Sequence, residues 1–374
     1  MKRNRILLVG NYLPDCQKSM NAYLGMIVNA LNDSALDAEV EVIRPKKIVL
    51  PGDVNKHSGI TKWLAYVDKF LIFPFLLYFK AKNYDRVHIC DHSNSMYSFF
   101  IKREKVVITC HDVIAIQAAQ GNVFNWTVGY TGRIFQFLIK KGLANASNII
   151  CVSNLTKRHY LEIIKSNQAV CVVYNALNNN FYYREASRDI DNEIFGNWAF
   201  LNNYILHIGS DLPRKNRNYV CQLFALLAER RDNLGLVLVG PELSSKQTEF
   251  VDYFVKQGRV KVFKNIEFSQ LNYIYSRARL LLFPSTHEGF GWPIIEAQSA
   301  HCPVVTSGLA PLDEVGGAGA MYLDLESLEK DTDRVEELLE SNELRDDLIK
   351  EGVLNVSRFD LSIFRKELLA IYEK

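Results

Sequence analysis

Five side chains have types and neighbours suited to chemistry on a phosphorylated, hydroxyl-rich molecule: Glu288, Glu296, Arg214, Lys215 and His111. Glu288 stands in a loop with Gly289, Phe290 and Gly291, and Glu296 follows eight positions on. A carboxylate can accept hydrogen bonds from paired sugar hydroxyls, and glycines let backbone amides come close to a ligand. The plainer reading makes Glu296 a complement to a helix dipole and Glu288 a solvated loop residue. Spacing alone leaves both open. Arg214 and Lys215 follow a strand that ends in Gly209. Such a pair can hold a diphosphate, arginine as a planar fork and lysine as a point charge. Elsewhere the same pair would read as surface charge. His111 comes straight after an apolar strand, where a structural histidine and a substrate-facing one both fit.

These residues need elements to position them. Leu280–Phe283 is a short apolar run of the kind that forms a buried parallel strand, and Pro284 ends it. Pro293 suits a first helical turn, so 294–300 reads as a helix with Glu296 in that turn, and Pro303 opens the next strand. The loop then lies at the carboxyl end of a strand, where open α/β sheets bind ligands. Further strands are expected at 6–10, 86–90, 106–110, 204–209, 235–240 and 260–263. Gly10 ends the first of them without a G-x-G-x-x-G fingerprint. Pro74 should kink or split the aromatic helical stretch 60–81.

The string Glu288-Gly289-Phe290-Gly291-Trp292-Pro293 through Glu296-Ala297 resembles the E-x7-E signature of retaining glycosyltransferases of family 4, the "group 1" family. Thr109-x-His111-Asp112 resembles that family's T-x-H-D element, and Pro213-Arg214-Lys215-Asn216 its P-R-K-N element. The stretch 144–157 and Pro311-Leu312-Asp313-Glu314-Val315 match more loosely. At Asn11-Tyr12-Leu13-Pro14 the chain departs from the glycine-rich loop that the family places on the acceptor side, next to Gly10. Tyr174 and Ala176 replace the proline and glycine of the family's V-I-P-N-G turn.

The resemblance implies a GT-B fold: two doubly wound Rossmann-like domains facing across a cleft. It implies transfer of a hexosyl unit from a nucleotide-diphosphate sugar to a saccharide or lipid-linked saccharide, with retention and without a metal. Cell-surface polysaccharide or lipopolysaccharide assembly is the implied setting. The nucleotide sugar is a substrate, and no cofactor is implied. Carried over by position, Arg214 and Lys215 bind the diphosphate beside Gly209, and Glu296 holds the ribose hydroxyls. Glu288 with Gly289 and the Phe290 and Gly291 amides holds the donor sugar, which His111 faces. A sugar-nucleotide epimerase or phosphorylase of the same fold, and a catalytically silent sugar-nucleotide-binding subunit, are the alternatives.

A chain of 374 residues is comfortable for two domains. Residues 1–190 carry 24 Lys and Arg against 14 Asp and Glu, while residues 191–374 carry 20 against 28. That asymmetry argues for an acceptor-side domain over 1–190 and a donor domain over 191–355, with a linker at 183–203. A last helix, 356–374, is expected to cross back to the first domain. The basic half and the Trp63, Phe70 and lysine-bearing segment suit reversible contact with an anionic membrane, against the alternative of a helix packed on the sheet. The near-neutral total of +2 disfavours nucleic acid. Seven scattered cysteines, without a CxxC pair, suit a reduced cytoplasmic setting, at most at the inner face of the cytoplasmic membrane.

Overall fold

A computed structural model describes residues 4–32, 38–49, 60–121, 127–177 and 181–373. It divides into two compact units, Met1–Ala176 with Leu361–Lys374, and Leu177–Asp360. The first unit holds β1 (Asn4–Val9), β2 (Ala38–Ile43), β3 (Arg86–Ile89), β4 (Val106–Cys110), β5 (Asn148–Cys151) and β6 (Ala169–Val172). They form one parallel sheet in the order β2-β1-β3-β4-β5-β6. The second unit holds β7 (Tyr204–Ile208), β8 (Gly235–Val239), β9 (Val260–Phe263), β10 (Leu280–Phe283), β11 (Val304–Ser307) and β12 (Ala320–Leu323). Its order is β12-β11-β10-β7-β8-β9, again parallel throughout.

Apolar runs such as Val106–Cys110 and Leu280–Phe283 are buried along their whole length, because helices cover both faces of a parallel sheet. In the first unit Leu7, Val87 and Ile108 pack with the helical residues Phe73, Leu77 and Leu143. In the second, Ile205, Leu236 and Leu282 pack with Val220, Phe224 and Val335. Each sheet reverses its winding once, between β1 and β3 and between β7 and β10. At such a switch point the loops leaving neighbouring strands part to opposite faces and open a crevice.

The division falls at Ala176, ahead of the expected 190. The reason is that the intended linker is bonded into the second unit. The Tyr182 and Ser187 amides donate to Asn272 Oδ1 (3.1 Å) and Tyr273 Oη (2.8 Å). Asp191, on the helix Arg188–Phe195, pairs with Arg277 at 3.2 Å. The return to the first unit begins at Leu361 rather than 356. There Arg365 Nε donates to the Ala30 carbonyl (2.7 Å) and Arg86 Nε to that of Tyr372 (2.9 Å). The Tyr372 hydroxyl lies 2.6 Å from Nδ1 of the fully buried His88, whose Nε2 lies 2.8 Å from Thr109 Oγ1. Burial, reinforced by nearby His111, pushes the His88 pKa down to about 3, so this imidazole is neutral.

The stretch 60–81 does not break at Pro74: it is helical throughout, with its winding altered just ahead of the proline. A π-helical turn, Asp68–Ile72, joins the helices Ile60–Val67 and Phe73–Ala81. Pro74 sits in the first turn of the second helix, directly after the π-helical turn. The turn presents the buried Asp68 carboxylate to the Val49 amide (2.9 Å) and the Tyr12 hydroxyl (3.1 Å). Phe70, expected on a docking surface, turns inward against Tyr66 and Phe135, while Trp63 remains 67% exposed.

Candidate functional site

The loops after β7 and β10 meet at the switch point of the second sheet. The short turn Pro213–Lys215 presents its two cations, and Asn216 adopts a left-handed backbone (φ 54°) that starts the helix Arg217–Arg230. The Thr286 amide donates to the Arg214 carbonyl at 2.8 Å, which sews the two loops together. Arg214 Nη1 donates to the His287 carbonyl (2.9 Å) and to Glu288 Oε2 (2.8 Å), while Lys215 Nζ donates to Oε1 of the same carboxylate. Two residues 73 and 74 positions away in sequence therefore share one carboxylate. Gly291, at φ 112°, closes the loop. A Cβ there would stand 2.7 Å from Leu312 Cδ2, and no L side chain adopts that backbone easily.

The two glutamates have opposite electrostatics. The Glu288 side chain is only 9% exposed. Burial alone would raise its pKa, but Lys215 and Arg214 outweigh it and hold the carboxyl below its ordinary range. Burial also lowers the Lys215 pKa, against the pull of Glu288. Glu296 lies in the second turn of the helix Trp292–Ser299, not the first, because the helix starts at Trp292. Burial pushes its pKa up to about 7, opposed only by the Tyr275 hydroxyl, which donates to Oε2 at 2.8 Å. One carboxylate is fixed as an anion. The other titrates near neutrality.

The profile described as "Glycosyl transferases group 1" matches residues 194–353, and that described as "Glycosyltransferase Family 4" matches residues 26–181. The chain belongs to the family 4 glycosyltransferases. It is 26% identical over 197 residues to the O-antigen chain mannosyltransferase RfbU of Salmonella typhimurium, covering 51% of this chain and 50% of that protein. It is 30% identical over 159 residues to the O-antigen chain mannosyltransferase B of Escherichia coli, 42% of each chain. These matches span about half or less of the curated relatives' lengths. Anabaena HepE, solved in complex with UDP and glucose, superposes with a TM-score of 0.73 at 16% identity, covering 99% of each chain. That likeness shows the GT-B fold.

The other residues expected in the site are placed as follows. Gly209 ends β7 beside Lys215, and its carbonyl explains a glycine not singled out for the site: a Cβ at Gly240 would stand 2.1 Å from it. Phe290 is buried with its ring edge-on to Phe359 (5.7 Å), so its side chain anchors the loop, while Gly289 lies between it and Glu288. Gly10 and His111 belong to the first unit, at the carboxyl ends of β1 and β4. His111 is buried edge-on to Tyr23 (4.6 Å), with Nε2 2.9 Å from the Cys90 carbonyl. That carbonyl can only accept, so Nε2 carries the proton. Burial lowers the ring's pKa despite Asp91, which keeps it neutral. Tyr275 had no signal in the sequence, since one tyrosine in an amphipathic helix points to nothing. A cavity of about 480 Å³ is lined by His301, Asp346, Ile349, Lys350, Val353 and Leu354.

Proposed function

We propose that this chain transfers a hexosyl unit from a nucleotide-diphosphate sugar to a saccharide or lipid-linked saccharide, with retention and without a metal, in cell-surface polysaccharide assembly. The observation that carries this is the convergence of Arg214 and Lys215 on Glu288 at the second switch point. A donor diphosphate offers the two cations a doubly charged partner in place of one carboxylate, and Glu288 is then left beside the sugar. The bond from the anomeric carbon to the phosphate oxygen breaks with its electron pair going to that oxygen, where Arg214 and Lys215 stabilise the charge. The acceptor hydroxyl bonds to the anomeric carbon on the same face, and its proton passes to the departing diphosphate. Glu296 accepts from the ribose hydroxyls.

A membrane-bound acceptor is supported by the outer surface of the first unit. Tyr66, Phe70 and Phe135 lock the segment 60–81 to the helix Tyr130–Ala144. Their outward residues Trp63, Leu71, Phe75, Ile134 and Phe137 stay exposed. Lys82 lies over the Tyr78 ring at 4.2 Å and Lys141 over Phe137 at 5.5 Å. Aromatic side chains fringed by lysines suit shallow docking on the cytoplasmic side of an anionic bilayer. Among the described residues no helix is long and apolar enough to cross one.

The test is a screen of purified protein against UDP-, GDP- and ADP-hexoses with saccharide acceptors, with the anomeric configuration of the product read by NMR. Transfer with retention, undiminished by excess EDTA, is expected. Inversion, or activity lost to chelation and restored by Mg²⁺ or Mn²⁺, would contradict the mechanism, and turnover of donor to an epimer without acceptor would contradict the reaction.

A further inference from the structure

The carboxylate assigned above to the ribose is not held by its own helix. Glu296 projects from the helix Trp292–Ser299, and its hydrogen-bond partner comes from another, Phe268–Arg277, where Tyr275 donates to Oε2 at 2.8 Å. Tyr275 is fully buried, whereas Glu296 is partly exposed. The hydroxyl is thus the inner end of the pair and the carboxylate its outer end. Oε1 carries no hydrogen bond among the described residues, which leaves it to accept from a ligand.

The segment that follows Leu177 fixes this pair from behind. Phe181, 2% exposed, packs its ring nearly perpendicular to those of Tyr275 (5.8 Å) and Phe268 (6.2 Å). Ser299 Oγ, three residues after Glu296 on the same helix, donates to the Phe181 carbonyl at 2.7 Å. The Tyr182 amide donates at 3.1 Å to Oδ1 of Asn272, three residues before Tyr275. One short segment is therefore bonded both to the helix of Glu296 and to the helix of Tyr275, and its phenylalanine backs the phenol. Packing and second hydrogen bonds of this kind lock the rotamer of a side chain that must hold another in place.

Among the described residues no charged side chain pairs with the Glu296 carboxylate. Arg214 and Lys215 are engaged with Glu288. The helix Asn342–Val356 meets the helix of Glu296 through Gly352 and Asn355, both at Gln298, and the helix Leu312–Gly316 brings Leu312 to Gly291. The buried Cys302 bears on Tyr275 and not on Glu296. Burial and the Tyr275 hydroxyl then act on the Glu296 proton in opposite directions. Burial raises the pKa, to about 7, and the donated hydrogen bond favours the ionised form and limits the rise.

We infer that Tyr275 is a positioning residue for the nucleotide: its hydroxyl, braced by Phe181, holds Glu296 as an ionised acceptor with Oε1 free for the ribose. The inference rests on the reading that gives the ribose to Glu296, but its first test needs no nucleotide. That test is a carbon-13 titration of the Glu296 carboxyl in the whole protein labelled in its glutamates, the signal being assigned by its loss in Glu296→Gln. Tyr275→Phe keeps the ring against Phe181 and deletes the hydroxyl, so the midpoint should rise by about one pH unit. Phe181→Leu keeps the hydroxyl and loosens its brace, and should move the midpoint the same way by less.

The second test is calorimetry with UDP, GDP and ADP, and with inorganic pyrophosphate. For whichever nucleotide binds, a midpoint moved up by one unit from neutrality should lower affinity at pH 7 about fivefold in Tyr275→Phe, and most of that loss should be recovered by about pH 9. Pyrophosphate affinity should be unchanged, because Arg214 and Lys215 are untouched. An unmoved Glu296 midpoint in both variants overturns the inference, whatever the nucleotide does. So does a loss shared equally by nucleotide and pyrophosphate that rising pH does not relieve, since that is the mark of a loosened fold. A midpoint that moves as expected, with nucleotide affinity indifferent to it and to Glu296→Gln, overturns the assignment of Glu296 to the ribose and leaves Tyr275 in control of the carboxylate.

Discussion

Both sheets are parallel and six-stranded with one switch point each, β1/β3 with two strands on one side and four on the other and β7/β10 with three on each side, yet their loops carry opposite chemistry. After β7 and β10 the chain presents two cations clamped on a carboxylate. After β1 and β3 it presents amides, a hydroxyl and a lysine already paired with Asp15, backed by three rings. Net charge runs the other way. The first unit carries 25 Lys and Arg against 14 Asp and Glu, and the second, with its cationic loops, carries 19 against 28. A diphosphate proposed for the second unit would be held by a few desolvated cations at short range, since exposed charges elsewhere are screened within about 10 Å. The strand order fixes where a ligand goes, and the loop residues decide what it is.

The largest effect should come from breaking the charged cluster. Lys215→Met is expected to lower turnover ten- to a hundred-fold, about 1.5–3 kcal/mol for a charge-assisted hydrogen bond. It also leaves the buried Glu288 with Arg214 alone, so thermal unfolding should show a loss of about 1–3 kcal/mol. Adding Glu288→Gln to Lys215→Met should restore the melting temperature and not the turnover. If the double variant melts as early as the single one, the pair does not have the buried character described here.

Next in size is a contrast between the glutamates. Glu288→Gln should mainly lower kcat, and Glu296→Gln should mainly raise donor KM, because ribose contacts persist from ground state to transition state. With a folded pKa of about 7, Glu296 gains its accepting, ionised form as pH rises. Nucleoside diphosphate affinity should therefore increase as pH climbs through 7 and level off above it, and Glu296→Gln should flatten that profile. The stability effect has the opposite sign. The folded state keeps a proton that an unfolded glutamate loses near about 4.3, so this residue's contribution falls as pH rises from there to 7. An unchanged pH profile in the variant would remove Glu296 from the nucleotide site.

The smallest effect concerns the apolar face of the first unit. Phe75→Ser with Phe137→Ser should reduce co-sedimentation with anionic vesicles several-fold at low salt, while transfer to a soluble acceptor is unaffected. Binding equal to that of the parent protein would leave these aromatics without a membrane role.

Much of this was legible in the sequence because it rests on local signals. Apolar runs mark eight of the twelve strands, some of them beside a glycine or proline, and Glu288, Glu296, Arg214 and Lys215 stand in short motifs. What was not legible depends on distant partners. Nothing near Glu296 announces Tyr275, and nothing near Tyr275 announces Phe181. Phe70 faces inward only because Phe135, far along the chain, is there to meet it. The unit boundary was misplaced for the same reason: a polar, acidic stretch reads as linker until Asp191 is seen against Arg277.

The helix Leu361–Tyr372 imposes an order on the making of this protein. During synthesis every residue of the second unit emerges before the helix that completes the first. Until residue 372 is out, His88 waits in its strand without the hydroxyl that caps it, and the Ala30 carbonyl without Arg365. The first unit is thus begun before the second and closed after it, and a chain stopped between residues 360 and 372 has every residue of the second unit but lacks the helix that completes the first.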